Sequence, residues 1–205
     1  MGAVRFRVDP ERPHRRRIEQ TAEALQQGRF AVVPTEATYA FVVLPGKTGA
    51  IEAIRRIRRL DEKHLWSLFC PDLRTAARYA HLDDVAFRLI RRHTPGPYTW
   101  ILPASSALPR RVFGKRKEVG VRISASPVIE GLLAALEEPV MLATTVQFPE
   151  EEMPETDPER IWLRIHAEDC VMLDGGWGAP VPTTIIDLTE GEPVLVREGM
   201  GAWPQ

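Results

Sequence analysis

The side chains with the most chemical potential in this sequence are cations set among apolar neighbours. Arg122 interrupts the run VGVRI (119–123), and Lys115, Arg116 and Lys117 stand just before it. Arg55, Arg56, Arg58 and Arg59 fill one face of a helix whose other face is Ile51, Ile54, Ile57 and Leu60. Guanidinium groups brought to one place bind phosphate or carboxylate, bidentately where the planar fork fits. The plainer alternatives are a strand arginine pointing to solvent and a solvated helix face. Two other constellations are decoys. Gly46-Lys47-Thr48 before a helix, with Ile185-Ile186-Asp187 downstream, imitates a phosphate-binding loop, but Phe41 stands where the first glycine is required, so Thr48 reads as a helix cap. Cys70 and Cys170 lie in apolar strand patterns, where inert buried thiols are expected. His64, His81 and His93 read as surface or helix-end residues.

Charge along the chain favours a polyanion site. The net charge is −1, yet residues 1–122 carry 24 Lys/Arg against 12 Asp/Glu, and residues 123–205 carry 3 against 16. The halves therefore stand at +12 and −13, which either neutralise each other on folding or leave a basic surface for nucleotide or nucleic acid. Two cysteines are too few for a disulfide framework, the five histidines are scattered, and no apolar run approaches membrane-spanning length. These features lead us to expect a cytoplasmic protein that binds neither membrane nor structural zinc.

The elements that must position the cations alternate in type. Val4, Phe6 and Val8 have strand period, and Ile18, Ala22 and Leu25 have helix period with Gly28 just past the end. FAVV (30–33), AFVVL (40–44), LWSLFC (65–70), YTWIL (98–102), VGVRI and VMLAT (140–144) read as strands, as do CVMLD, TTIID and PVLVRE further on. Asp72, Asp83, Ser126 before Pro127, and Asp157 before Pro158 mark helix starts, and PEEEMPETDPE (149–159) reads as an acidic loop. Strands alternating with helices over residues 1–205 predict a single α/β domain, an open twisted mixed sheet with helices on its faces.

Four stretches in order resemble the YrdC/YciO family, in particular its YciO-type branch. They are PTEATYAF (34–41), the helix end at Arg58 followed by LWSLFC, TPGPYTWIL with KRKEVGVRISASP (94–102 and 115–127), and PTTIIDLTEGEPVLVREG (182–199). The resemblance implies a deep basic cavity in a YrdC-like fold. It also implies kinship with enzymes that make threonylcarbamoyladenylate from threonine, bicarbonate and ATP for a tRNA modification. By resemblance, Thr35 contacts substrate with Tyr39 packed beside it. Arg58 and Leu60 stand where synthases carry a Lys-x-Arg pair, so one cation is exchanged and one lost, with Lys63 near enough to substitute. Lys115 and Arg122 bind nucleotide or carboxylate. Thr145 and Gln147 replace a Ser-x-Asn motif, Thr183 and Thr184 supply a phosphate-contacting hydroxyl, and Arg197 belongs to the closing Arg-x-Gly motif. The expectations that follow are binding of ATP or an adenylate, with Mg2+ and no tightly held metal, and binding of double-stranded RNA or tRNA on adjoining basic surface. The alternatives are an active threonylcarbamoyladenylate synthase with an altered cation set, or a synthase or hydrolase of another carbamoyl- or acyl-adenylate.

Overall fold

A computed structural model describes residues 2–61, 64–108 and 117–203. The described strands are β1 (Val4–Arg7), β2 (Phe30–Val33), β3 (Ala40–Val43), β4 (Ser67–Phe69), β5 (Tyr98–Pro103), β6 (Glu118–Arg122), β7 (Met141–Thr145), β8 (Cys170–Asp174), β9 (Thr184–Asp187) and β10 (Val194–Arg197). The helices are α1 (Arg15–Gln26), α2 (Thr48–Arg58), α3 (Leu73–Tyr79), α4 (Asp84–His93), α5 (Pro127–Ala134) and α6 (Pro158–Ile165). All ten strands join one mixed sheet in the order β1-β8-β2-β3-β7-β4-β6-β5-β9-β10. The pairs β1/β8, β8/β2, β4/β6 and β5/β9 are parallel and the other five antiparallel.

Strand period divides the core in two. Phe30, Phe41, Leu68, Trp100, Val121, Leu142 and Met172 face one side, where α2, α3, α4 and α6 cover them with Ile54, Tyr79, Ile90 and Ile161. Ala31, Val42, Phe69, Ala143 and Leu173 face the other, under Leu25 of α1 and Leu132 of α5. This second cluster takes no residue from β5, β6, β9 or β10, so that quarter of the second face is left for something other than helix packing.

Several helix starts follow the expected chemistry. Asp72 accepts from the Thr75 amide and Asp83 from the Ala86 amide, each at 2.7 Å, and Asp157 accepts from the Glu159 amide at 2.9 Å. Thr48 is the first helical residue rather than the cap; Lys47 takes the cap position and no side chain bonds there. Ser126 holds the cap position of α5 without a capping hydrogen bond from its hydroxyl. The end of α2 matters for the site. Arg59 adopts a left-handed conformation (φ 50°), and the Leu60 amide reaches back to the Arg55 carbonyl at 2.9 Å. In this C-terminal motif the residue after the left-handed one makes an apolar contact, and Leu60 packs on the core.

Candidate anion-binding site

The uncovered quarter of the sheet holds a cavity of about 150 Å³, lined by Arg58, Arg122 and Arg197 with His64, Ser67, Thr99, Thr144, Thr145, Gln147 and Thr183. No carboxylate is among its described lining residues. Larger hollows of about 470 and 570 Å³ lie elsewhere, but the first sets Lys47 against Glu137 and Glu138, and the second sets two arginines against four acids. In contrast to these two, the smaller cavity gathers cations without matching acids among its described lining residues.

Alternation along β4, β5, β6, β7 and β9 builds the floor. Ser67, Thr99, Arg122, Ala143, Thr145, Thr183 and Ile185 line the cavity, while their neighbours Leu68, Trp100, Val121, Leu142 and Ile186 lie in the opposite core. Gly120 lets β4 and β6 approach at this floor, since a Cβ there would stand 2.7 Å from the Ser67 hydroxyl and 3.2 Å from its Cα.

Arg122 is 6% exposed, a depth at which a cation needs partners. One Nη2 donates to Glu36 Oε1 at 3.2 Å, and the guanidinium lies 4.5 Å from the Phe69 ring centroid. Among the described residues its Nε has no hydrogen-bond partner. Glu36 takes a second short hydrogen bond from the Ser124 hydroxyl, so the turn between β2 and β3 anchors the buried cation. Burial pushes the Arg122 pKa below the ordinary arginine range, and the charge and hydrogen bond of Glu36 partly restore it. Arg197 donates to the Thr183 carbonyl at 2.8 Å through Nη2 and at 3.3 Å through Nε. Its pKa is lowered first by burial and then by the charge of Arg122, so the two guanidinium groups sense each other.

Arg58 enters from the end of α2. Its Nε donates to the Gln147 carbonyl at 2.9 Å and its Nη1 to the Thr144 hydroxyl in a short contact. Burial lowers its pKa to about 10, which leaves it charged at neutral pH. His64 Nε2 lies 3.0 Å from the same Thr144 hydroxyl. The Gln147 amide nitrogen donates to the Glu151 and Glu152 carbonyls at 3.0 and 3.1 Å, tying the acidic loop to the cavity rim.

The structure therefore brings Arg58, Arg122, Thr145, Gln147 and Arg197 to one cavity, and sets three other expected residues apart. Thr184 is displaced by the alternation of β9. It pairs with Tyr98 in register, accepts from the Gly199 amide at 3.0 Å and donates to the Gly201 carbonyl, so its hydroxyl braces the C-terminal segment; Thr183 is the cavity hydroxyl. Tyr39 turns its hydroxyl to the 175–176 loop. Its buried hydroxyl donates to the Gly176 carbonyl at 2.7 Å and accepts from the Gly175 amide at 2.9 Å, and burial raises its pKa to about 12. Thr35 makes a turn, donating to the Thr38 carbonyl at 2.7 Å and accepting from the Ala37 amide at 3.1 Å, so its hydroxyl is committed to its own loop. Lys63 and Lys115 lie outside the described residues. Sequence reasoning passed over Glu36, Thr99 and Thr144, and it read His64 as a surface or helix-end residue, whereas His64 lines the cavity. Glu36 had a signal, an acid in a turn of the same motif as Thr35, but the cavity position of His64 had none. Cys70 and Cys170 are buried, with burial the main cause raising each thiol to about 12.

The fold and site together define an α/β protein with a ten-stranded mixed sheet, one uncovered part of which carries an arginine-lined cavity. Residues 23–199 match the Sua5_yciO_yrdC family model, described as "Telomere recombination". The chain is 41% identical to Escherichia coli (strain K12) protein YciO over 197 residues, covering 96% of this chain and 95% of that one. It superposes on the E. coli YciO crystal structure with a TM-score of 0.91 over 98% of its length and 97% of that chain. More distant relatives include the threonylcarbamoyl-AMP synthase of Halorhodospira halophila, 34% identical over 58% of this chain and 63% of the synthase. The crystal structure of P. abyssi Sua5 complexed with L-threonine is 25% identical, with a TM-score of 0.82 over 97% of this chain and 58% of the longer Sua5 chain. The chain belongs to the Sua5/YciO/YrdC family, related to threonylcarbamoyl-AMP synthase.

Proposed function

We propose that the cavity binds the anionic part of ATP or an adenylate, and that exposed basic surface elsewhere on the chain binds RNA or tRNA. The observation that carries the nucleotide reading is the convergence of Arg58, Arg122 and Arg197 on a hollow with no lining carboxylate, one of them buried with an unused donor. A bidentate guanidinium is suited to a phosphate or carboxylate, and hydroxyls at Ser67, Thr99, Thr145 and Thr183 add neutral contacts to the remaining oxygens. At about 150 Å³ the enclosed part is small beside clefts that hold whole cofactors, so it fits a phosphate group or an amino-acid-sized moiety, with the rest of the nucleotide reaching outward. Magnesium would arrive with the triphosphate as part of the ligand. Among the described residues no three His, Cys, Asp or Glu side chains are grouped to hold a metal, and Glu36 is engaged by Arg122 and Ser124.

Calorimetric titration with ATP, AMP and inorganic phosphate at low ionic strength tests this reading. Saturable binding of ATP and competition by phosphate are expected; absence of saturable binding by all three overturns it.

A second reading, an active threonylcarbamoyl-AMP synthase, is favoured by His64, which adds an imidazole to the cavity although Leu60 packs against the core instead of supplying a second cation. Release of pyrophosphate from ATP that depends on threonine and bicarbonate would establish it. The RNA part rests on exposed Arg74, Arg88 and Arg91 on α3 and α4, which cover the face of the sheet opposite the cavity floor. Phosphate contacts release counterions, so tRNA affinity should fall steeply with salt; a flat salt response excludes this mode. No helix among the described residues is long and apolar enough to cross a membrane.

A further inference from the structure

Six of the eleven large apolar side chains exposed among the described residues gather at one corner: Val181, Val194, Leu195, Val196, Met200 and Trp203. Natural sheets guard their edges, and β1 shows the usual device. There Arg5 is held by Asp174 at 2.8 Å and by Glu159 at 2.6 Å, and Arg7 projects into solvent. The opposite edge is unlike it. Among the described residues β10 pairs only with β9, with a register shift between Leu195 and Arg197; it exposes Val194 by 55% and Val196 by 54%, and no described strand lies on its outer side. The 199–200 turn ties this edge to the strap before β9, with the Met200 amide donating to the Pro182 carbonyl at 2.8 Å. Exposed apolar side chains grouped along a sheet edge mark an interaction site.

From these observations we infer that β10 is a docking edge for an extended polypeptide segment, apolar in its middle and flanked by lysine or arginine, which adds to the sheet as a further strand. Charge selects this occupant. Exposed Glu190, Glu192 and Glu198 bracket the apolar triplet. A second copy of the chain fits poorly. Antiparallel pairing centred on Leu195, the register that sets valine opposite valine, places Glu192 opposite Glu198 twice, and directly opposed like charges are destabilising. A segment with basic flanks turns the same glutamates into attractive partners. The strand that receives it also carries Arg197, so the docked segment would lie along the cavity wall. The docking inference does not depend on what the cavity binds.

The probe is a synthetic peptide alternating valine and threonine between terminal lysine pairs, compared with the same peptide ending in glutamate pairs. We expect saturable binding of the lysine peptide, followed by Trp203 fluorescence and by slowed amide exchange at Leu195 and Val196. The glutamate peptide should bind about tenfold or more weakly. The double variant Glu192→Lys/Glu198→Lys, altered only at exposed positions, should reverse the preference. Val196→Lys should abolish binding of both peptides while leaving the thermal midpoint near that of the unaltered chain. Equal binding of the two peptides, no protection at Leu195 and Val196, or a preference the double variant leaves in place would overturn the inference. So would a chain that is dimeric by light scattering and becomes monomeric on Val196→Lys, since a second copy would then occupy the edge.

Discussion

Replacing Arg122 with methionine separates what this side chain does for the fold from what it does for a ligand. Breaking one side of a buried ion pair costs about 3–5 kcal/mol. Glu36 keeps its Ser124 hydrogen bond and is 13% exposed, which favours the low end. The substitution also removes a donor, Nε, that has no partner, and relief of such a buried group returns about 1–3 kcal/mol. The free chain should therefore lose no more than about 2 kcal/mol. Adding Glu36→Gln should recover most of that loss, because the remaining buried groups are then neutral. Ligand affinity should respond more strongly. Losing charge-assisted hydrogen bonds worth about 1.5–3 kcal/mol weakens ATP roughly 10- to 150-fold. Urea unfolding of the single and double variants measures the first part, and calorimetry on the folded Arg122→Met chain measures the second. If folded Arg122→Met keeps its ATP affinity within about twofold, or if the two substitutions simply add in stability, the electrostatic account of the cavity is wrong.

Four further outcomes follow from the same geometry. Arg58→Met removes a cation whose pKa burial has lowered to about 10, so anion affinity should drop at least about tenfold while the stability of the free chain changes by no more than about 1 kcal/mol; a matched loss of both would make Arg58 a structural residue only. The folded pKa of Arg58 lies below its unfolded value, so the unfolded chain binds the extra proton between about pH 10 and the ordinary arginine range. This group's penalty is thus fully present at neutral pH and relaxes only as pH rises through that window, so the unaltered chain should gain stability relative to Arg58→Met above about pH 10, which the urea midpoints of the two chains measure. Tyr39→Phe removes two hydrogen bonds to the 175–176 loop and should cost about 1–2 kcal/mol in urea unfolding with unchanged ATP affinity. Thr184→Val should destabilise by about 1–3 kcal/mol, because the Gly199 amide and Gly201 carbonyl lose their shared partner, whereas Thr183→Val should weaken ligand binding instead; calorimetry and unfolding on the pair give the split.

Much of the fold was legible because it rests on local rules. The period-2 runs from FAVV to PVLVRE became strands, the aspartates before α3, α4 and α6 became caps, and Gly28 ended α1 with a left-handed conformation (φ 95°). Arg122 was legible for a related reason: a cation within an apolar strand needs a partner or an opening, and the fold supplies both.

Other site features depended on contacts between residues far apart in the chain. Whether Thr183 or Thr184 faces the cavity depends on the register of β9 against β5, and a shift of one residue reverses every side chain. Tyr39 is bound to a loop 136 residues away, and Glu36 to a strand 86 residues away. The cavity position of His64 depends on Thr144, 80 residues on. Composition, periodicity and cap chemistry are carried by neighbouring residues, so the sequence alone determined an α/β sheet with its cations in the N-terminal part. Which cations share one hollow, and which glutamate neutralises one of them, was decided only when β4, β6 and β7 came together, because electrostatic partnership depends on distance in space rather than along the chain.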